Sequence, residues 1–97
     1  MMRMSLASAL AAASFAAAQA AALEPPAGAS SCTGCHPAKA GVETPVPGLA
    51  GRNAADIVAA MESFRSGERP ATVMDRIAKG FTVDEIQAIA AWYAAQR

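Results

Sequence analysis

The chain carries the pentapeptide Cys32-Thr33-Gly34-Cys35-His36 about a third of the way along its 97 residues. The pattern C-x-x-C-H is the attachment site of a c-type haem. Two thiols form thioethers with the haem, and the adjacent imidazole becomes one axial ligand of the iron. The sequence therefore predicts one covalent haem c, with Cys32 and Cys35 as its attachment residues and His36 as an iron ligand.

Three other interpretations of this pentapeptide are weaker. A thioredoxin-like redox pair belongs in a strand–helix–strand context, and no strand pattern surrounds the motif. A zinc site needs four ligands, whereas the chain has 2 Cys and 1 His, all within these five residues. A disulfide between the two cysteines would close a very small loop and leave the histidine unexplained. The redox dithiol is the main alternative that the residues leave open.

The start of the chain has the pattern of an export signal, which agrees with haem attachment outside the cytoplasmic membrane. A short, positively charged beginning is followed by an alanine-rich apolar run that ends at the A-x-A site Ala18-Gln19-Ala20, with a second such site ending at Ala22. We predict a cleaved signal peptide over residues 1–22 and a periplasmic domain over residues 23–97. The alternative is a retained membrane anchor, but the run is short of the ~20 strongly apolar residues that a span requires.

The domain left after cleavage has about 75 residues, and a domain of this size rarely builds a sufficient core from its side chains alone. A covalently held haem would supply a large apolar surface for a few helices. The full chain balances 8 basic against 8 acidic residues. No basic stretch indicates a nucleic acid partner, and no further segment is apolar enough to span a membrane.

Two helices are predicted from their caps and apolar spacing. Asn53 is a good N-cap for a helix that reaches about Ser66 and stops at Gly67. Thr82 and Glu85 form a capping box for the last helix. One apolar face recurs along each helix: Ile57, Val58, Met61 and Phe64 in the first, and Ile86, Ile89, Ala90 and Tyr93 in the second, where Trp92 lies beside the stripe.

The remaining segments complete an all-α prediction, with about three to four helices around a covalently bound haem. Residues 23–30 contain Pro25-Pro26 and are expected to be an extended lead-in. The haem motif is expected on a short helix that ends at Pro37 or soon after. Residues 41–51 and 68–80 are predicted loops, with one helical turn after Met74.

The second axial ligand is predicted to be Met74. No second histidine exists, and methionine is a common partner of histidine in cytochromes, where it raises the reduction potential. Met61 falls on the apolar stripe of a helix and is expected to be a core residue, whereas Met74 is expected in a loop that can aim it at the haem. The alternative is an open sixth position, which would indicate oxygen chemistry or gas sensing.

The order of these motifs resembles a class I cytochrome c over essentially all of the mature chain. Cys32, Cys35 and His36 are followed by the pattern Pro47-x-Leu49-x-Gly51, by Met74 and by a capped terminal helix with an aromatic pair. The resemblance implies that the carbonyl of Pro47 accepts a hydrogen bond from the ligand histidine and that Leu49 packs on the haem. It also implies that Trp92 or Tyr93 packs against the haem-bearing helix, without choosing between them.

The stretch from Phe64 to Phe81 is similar to the haem subunit of flavocytochrome c sulfide dehydrogenase, most closely over Met-Asp-Arg-Ile-Ala-Lys-Gly-Phe at residues 74–81. This resemblance implies a periplasmic FAD-containing flavoprotein as the partner that oxidises sulfide and passes on single electrons. The family's better-known subunits carry two haem domains, whereas this chain has one haem motif. The chain itself is then an electron-transfer subunit and not an enzyme.

Two functions follow from these patterns. The first is the haem subunit of a sulfide-oxidising flavocytochrome, with a downstream cytochrome or oxidase as the electron acceptor. The second is a free periplasmic carrier between redox complexes. Four cations near Met74 are expected to form a docking patch, to hold haem propionates, or to be ordinary solvated surface: Arg65, Arg69, Arg76 and Lys79.

Overall fold

The computed structural model describes residues 24–96, and this part of the chain is helical, with no strand. Its four helices are α1 (Ser30–Thr33), α2 (Ala54–Ser66), α3 (Met74–Ala78) and α4 (Val83–Ala94). The all-α prediction is therefore confirmed. The predicted signal peptide over residues 1–22 lies outside the described residues.

Helix α2 begins and ends where its caps predict. The side-chain oxygen of Asn53 accepts hydrogen bonds from the backbone N–H groups of Ala55 at 2.9 Å and Asp56 at 3.3 Å. These bonds satisfy donors that the first turn would otherwise leave free. At the other end, Gly67 adopts a left-handed conformation with φ of 82°, which a glycine reaches at little cost. Local sequence alone therefore fixes both ends of this helix.

Helix α4 is held at its start by the predicted capping box. The backbone N–H of Thr82 donates to the Glu85 carboxylate at 2.9 Å, and the backbone N–H of Glu85 donates to the Thr82 hydroxyl at 3.2 Å. The bond from the Thr82 backbone N–H to the carboxylate, with a smaller contribution from the Thr82 side chain, holds the pKa of Glu85 below the ordinary range of a glutamate. This exchange fixes the direction in which the terminal helix leaves the preceding turn.

We expect the capping box to give α4 a pH-dependent stability. Thr82→Ala should lower the free energy of unfolding at neutral pH by about 1 kcal/mol, because the hydroxyl acceptor is lost. Glu85→Ala should also destabilise at neutral pH. Because the folded pKa of Glu85 is lowered, its contribution is present above its ordinary pKa and disappears as the pH falls through the lowered one. Urea unfolding of the parent and of Glu85→Ala at neutral pH and at about pH 3 checks this expectation. If the two proteins differ in free energy of unfolding by the same amount at both pH values, the pH dependence does not come from Glu85.

The haem-motif segment is less helical than predicted. Helix α1 ends at Thr33, before the predicted stop at Pro37, and the chain continues as a turn. In that turn the backbone N–H groups of Cys35 and His36 both donate to the carbonyl of Cys32, at 3.1 and 2.8 Å. Thr33 and Gly34 have low helix propensity, which agrees with the early end of regular helix. The turn still brings both cysteines and His36 to one end of α1.

Two further segments differ from their predictions. Met74 was expected in a loop before one helical turn, and it is instead the first residue of that turn, α3. Residues 23–30 were expected to be extended, whereas the backbone N–H of Ala29 donates to the carbonyl of Pro26 at 3.1 Å in a turn that includes Gly28. Two prolines limit the backbone of that lead-in, but the glycine that follows them lets the chain reverse.

The core lies mainly on α4. Helix α2 packs against both α3 and α4. One connected cluster of buried side chains joins α4 to α2 and to the residue before α1; it contains Ala29, Ile57, Ile89, Ala90, Trp92 and Tyr93. Trp92, placed beside the stripe by periodicity, is buried together with Tyr93. In the described part of the chain, no helix is long and apolar enough to cross a membrane.

Gly28 lies where the lead-in turn crosses α4, and its replacement should be costly. Its φ is +86°, and a Cβ atom there would meet the Phe81 ring at 2.8 Å and the Ile89 side chain at 3.7 Å. We expect Gly28→Ala to lower the free energy of unfolding of the haem-loaded protein by about 2–4 kcal/mol, from backbone strain and displaced packing together. Gly41→Ala is the matched control, because Gly41 has φ of +81° with nothing within 4 Å. If urea unfolding shows the same loss of free energy of unfolding in both variants, the contact with Phe81 adds nothing to the cost of Gly28→Ala.

Candidate haem site

A cleft opens between the haem-motif turn, α2 and α3. It consists of a cavity of about 420 Å³ and a deeper one of about 100 Å³. The two cavities form one cleft, because five residues line both of them: His36, Leu49, Ile57, Met61 and Met74. The larger cavity alone lies within the range of about 300–1,000 Å³ that is usual for cofactor and ligand pockets.

The deeper cavity is apolar and carries both cysteines. Cys32 and Cys35 lie along it with the side chains of Ile77, Phe81 and Ile86. Neither cysteine forms a disulfide, and burial raises the pKa of the Cys32 thiol, so that it stays protonated at neutral pH. Within residues 24–96 no three His, Cys, Asp or Glu side chains come together as a metal-binding group. The motif therefore presents two thiols to an apolar space.

His36 is fixed with one ring nitrogen turned to the protein. The Nδ1 atom lies 2.7 Å from the carbonyl oxygen of Pro47, and the residue is only 9 % exposed. A carbonyl oxygen can only accept, so Nδ1 carries a proton and donates it, and in the neutral imidazole this leaves Nε2 with the lone pair. His36 also lines both cavities. The imidazole is thus in the tautomer that a metal ligand needs.

Tyr93 connects the terminal helix to the haem-motif turn. Its hydroxyl donates to the backbone carbonyl of His36 at 2.7 Å, and the side chain is fully buried. Burial, with a smaller contribution from the negative charge that Cys32 carries as a thiolate at high pH, raises the pKa of Tyr93 to about 12. Trp92 lies edge-on to Tyr93, with ring centroids 5.0 Å apart. Of the two aromatic candidates, Tyr93 is the one that forms this bond.

Both methionines of the described chain reach the cleft. Met74, at the start of α3, and Met61, on α2, each line both cavities. Met61, expected to be an ordinary core residue, is half-buried and faces the cleft, because the apolar stripe of α2 lines it at this position. Leu49 lines the same space, from the loop that carries Pro47.

The charged residues of the site lie only at the larger cavity. Arg52, Asp56 and Arg69 line it, and none of them lines the deeper one. The guanidinium of Arg69 lies 5.0 Å from the centre of the Phe64 ring, a cation–π geometry. The cleft therefore has an apolar inner end and an outer end with two cations and one carboxylate.

The four cations singled out in the sequence do not act as one group. Only Arg69 lines the cleft. Arg65 forms an ion pair with Glu62 at 3.7 Å along α2, and Arg76 and Lys79 are exposed on α3 and just after it. Arg52 was missed by the sequence reasoning; its position directly before the N-cap Asn53, five residues after Pro47, was the available signal.

Comparison with known proteins gives two relatives. The chain is 38 % identical over 63 residues to the cytochrome subunit of sulfide dehydrogenase from Chlorobaculum tepidum; the match covers 65 % of this chain and 57 % of the relative. It is 39 % identical over 67 residues to the thiosulfate dehydrogenase electron acceptor from Stutzerimonas stutzeri, covering 65 % of this chain and 31 % of the relative. No family model matches the chain. The chain thus spans less than two thirds of the length of either relative.

These similarities confirm the resemblance drawn from the sequence. The chain resembles the cytochrome subunit of a sulfide dehydrogenase, and its helices form the fold of a small all-α cytochrome c. Both relatives are named as electron-transfer components and not as the catalytic subunits of their dehydrogenases.

Proposed function

We propose that this chain is a periplasmic c-type cytochrome that transfers single electrons through one covalent haem, as the haem subunit of a sulfide-oxidising flavocytochrome. The main support is the convergence of Cys32, Cys35, His36 and Met74 on one apolar cleft. A cytochrome subunit of sulfide dehydrogenase is also among the relatives. A FAD-containing flavoprotein would be the electron donor, and a downstream cytochrome or oxidase the acceptor.

The residues present fit a haem in this cleft. Cys32 and Cys35 would hold it through thioethers, His36 through Nε2, and Met74 through its thioether sulfur. Pro47 keeps the His36 ring in its orientation through the 2.7 Å bond, and Leu49, which lines the cleft, would pack against the haem. When bound, the haem supplies reversible one-electron ferric–ferrous chemistry. The thioether of Met74 would favour the reduced state and so raise the potential.

The charges of the cleft suggest how the haem would be oriented. The propionates of a haem need solvent or cations, whereas its vinyl edge must reach the two cysteines. Arg52 and Arg69 line only the larger cavity, and both cysteines line only the deeper one. We therefore propose that Arg52 and Arg69 face the propionates. For Arg69, propionate binding is one of the roles expected from the sequence.

A free periplasmic electron carrier is the second candidate. The observation that favours it is the similarity to a protein named as an electron acceptor of thiosulfate dehydrogenase. Such a carrier would meet its donor through a small transient interface and would not copurify with it. The two candidates share the same site and differ in the lifetime of the complex.

Copurification from a periplasmic extract distinguishes these functions. The tagged, haem-loaded protein is recovered, the eluate is assayed for flavin, and haem reduction is followed after sulfide or thiosulfate is added. A flavoprotein in the eluate together with sulfide-dependent reduction supports the subunit. A cytochrome that elutes alone, and that is reduced by sulfide no faster than an unrelated c-type cytochrome, favours the free carrier.

The proposed location is tested by the mature N-terminus. Cleavage of a signal peptide over residues 1–22 would leave a periplasmic protein that begins at Leu23, and cleavage at the earlier site would leave Ala21 first. Intact mass of the haem-loaded protein from the periplasmic fraction decides between them. Recovery of the uncleaved chain with the membrane fraction would contradict the proposal.

A further inference from the structure

His36 is held at its two ends by different parts of the chain. Its ring Nδ1 donates to the carbonyl of Pro47, and its backbone carbonyl accepts from the hydroxyl of Tyr93, each at 2.7 Å. Pro47 lies in the loop before α2, and Tyr93 lies near the end of α4. The orientation of the imidazole therefore depends on how that loop and that helix are placed relative to each other.

A third hydrogen bond joins the loop to the helix. The backbone N–H of Gly51 donates to the carbonyl of Tyr93 at 2.9 Å. Tyr93 thus binds the backbone of His36 through its hydroxyl and binds the Pro47 loop through its own carbonyl. The hydrogen bonds and the backbone between them form a closed ring. It runs from the His36 ring to Pro47, along the loop to Gly51, across to Tyr93, and back to the backbone of His36. We call these three bonds the His36 circuit.

Gly51 is the residue that lets the circuit close. Its φ is +76°, and a Cβ atom there would lie 3.4 Å from the carbonyl oxygen of Gln96. A residue with a side chain would meet backbone strain at this φ, and its Cβ atom would lie in ordinary contact with the terminal segment. Glycine therefore lets the loop adopt, without strain, the conformation in which its N–H reaches the carbonyl of Tyr93.

We propose that Tyr93 is a positioning residue for His36, which acts through the His36 circuit to set the strength of the bond from the His36 ring to Pro47. The inference rests on the proposed function, because it concerns His36 as an iron ligand. It extends that function by assigning control of the ligand to the terminal helix.

Removal of the Tyr93 hydroxyl should weaken the bond between the ring and Pro47. The carbonyl of His36 would lose its buried partner, and no water replaces the hydroxyl at a site where Tyr93 is fully buried. The turn then shifts to find another donor and changes the distance from Nδ1 to Pro47. A weaker hydrogen bond at Nδ1 makes the imidazole a poorer electron donor, and a poorer donor stabilises ferric iron less. The reduction potential should therefore rise.

The test measures the potential of the haem-loaded protein in three variants. Tyr93→Phe keeps the ring and removes only the hydroxyl, and Gly51→Ala strains the loop side of the circuit. We expect each to raise the ratio of ferrous to ferric protein about threefold at a fixed solution potential, on the scale of one altered hydrogen bond. Gly67→Ala is the matched control, because Gly67 has φ of +82° with nothing within 4 Å and lies outside the circuit.

A merely structural role for Tyr93 predicts a different result. In that case Tyr93→Phe and Gly51→Ala would lower resistance to urea but leave the potential and the NMR signal of the His36 ring N–H where they are in the parent. That outcome overturns the inference. If Tyr93→Phe does not fold, the comparison of Gly51→Ala with Gly67→Ala decides alone. A parent protein without histidine–iron ligation would overturn the proposed function, and the inference with it, before any variant is made.

Discussion

Met74→Leu is expected to abolish the weak far-red absorption band that marks a bond between methionine sulfur and ferric iron. Leucine keeps the size and the apolar character of the side chain, so the cleft should stay packed while the sulfur ligand is lost. Without that ligand the reduction potential should fall by on the order of 0.1 V or more, within the roughly 0.8 V over which axial ligands set haem potentials. Visible absorption and a redox titration of the haem-loaded variant measure both effects.

Met61→Leu is the matched control for this experiment. Met61 and Met74 line the same two cavities, so each substitution removes one sulfur atom from the same cleft. We expect Met61→Leu to keep the far-red band and a potential close to that of the parent. If the band is instead lost in Met61→Leu and kept in Met74→Leu, the ligand is Met61 and the assignment made from sequence is wrong.

The second large effect is expected when both attachment cysteines are replaced. Cys32→Ala combined with Cys35→Ala should leave no haem attached to the chain on a denaturing gel. The double variant should also lose cooperative folding, because the apolar lining of the cleft would then face water. Burial of that lining is worth on the order of 5 kcal/mol, which approaches the whole stability of a small domain.

Each single cysteine variant is the control for the double one. Cys32→Ala or Cys35→Ala leaves one thiol, and we expect one thioether to retain the haem on the gel in each case. Far-UV circular dichroism of the same samples reports the fold. Haem staining that persists in the double variant would show that the attachment is not through these cysteines, whereas a fully folded double variant without haem would show that the helices need no cofactor.

The two long helices could be predicted because their signals are local. Asn53 and Gly67 delimit α2, and Thr82 with Glu85 starts α4, and each of these residues acts within its own turn. The early end of α1 follows from the low helix propensity of Thr33 and Gly34, a local signal that the prediction did not use. The placement of His36 beyond it could not be predicted, because His36 donates to the distant Pro47 and accepts from the distant Tyr93.

The details of the site that the sequence left open share a different cause. Periodicity places Met61 on the apolar face of α2. It does not show whether this face lines a cleft or a closed core. Trp92 and Tyr93 are neighbours on one helix, so spacing could not choose between them, and the choice depends on a contact with His36. Arg52 was overlooked although it lies directly before the N-cap Asn53 and close after Pro47, because that position alone does not show that the loop folds back and brings Arg52 to the cleft.

The bond from Tyr93 to His36 also has a consequence for the order of events during maturation. The two residues are 57 positions apart in sequence, so this contact closes a long stretch of chain and carries a large entropic cost until many other contacts exist. Contacts of such span form late in folding. We therefore expect docking of the terminal helix to be one of the later steps of folding, so that the backbone of His36 gains its Tyr93 partner only after the helices themselves have formed.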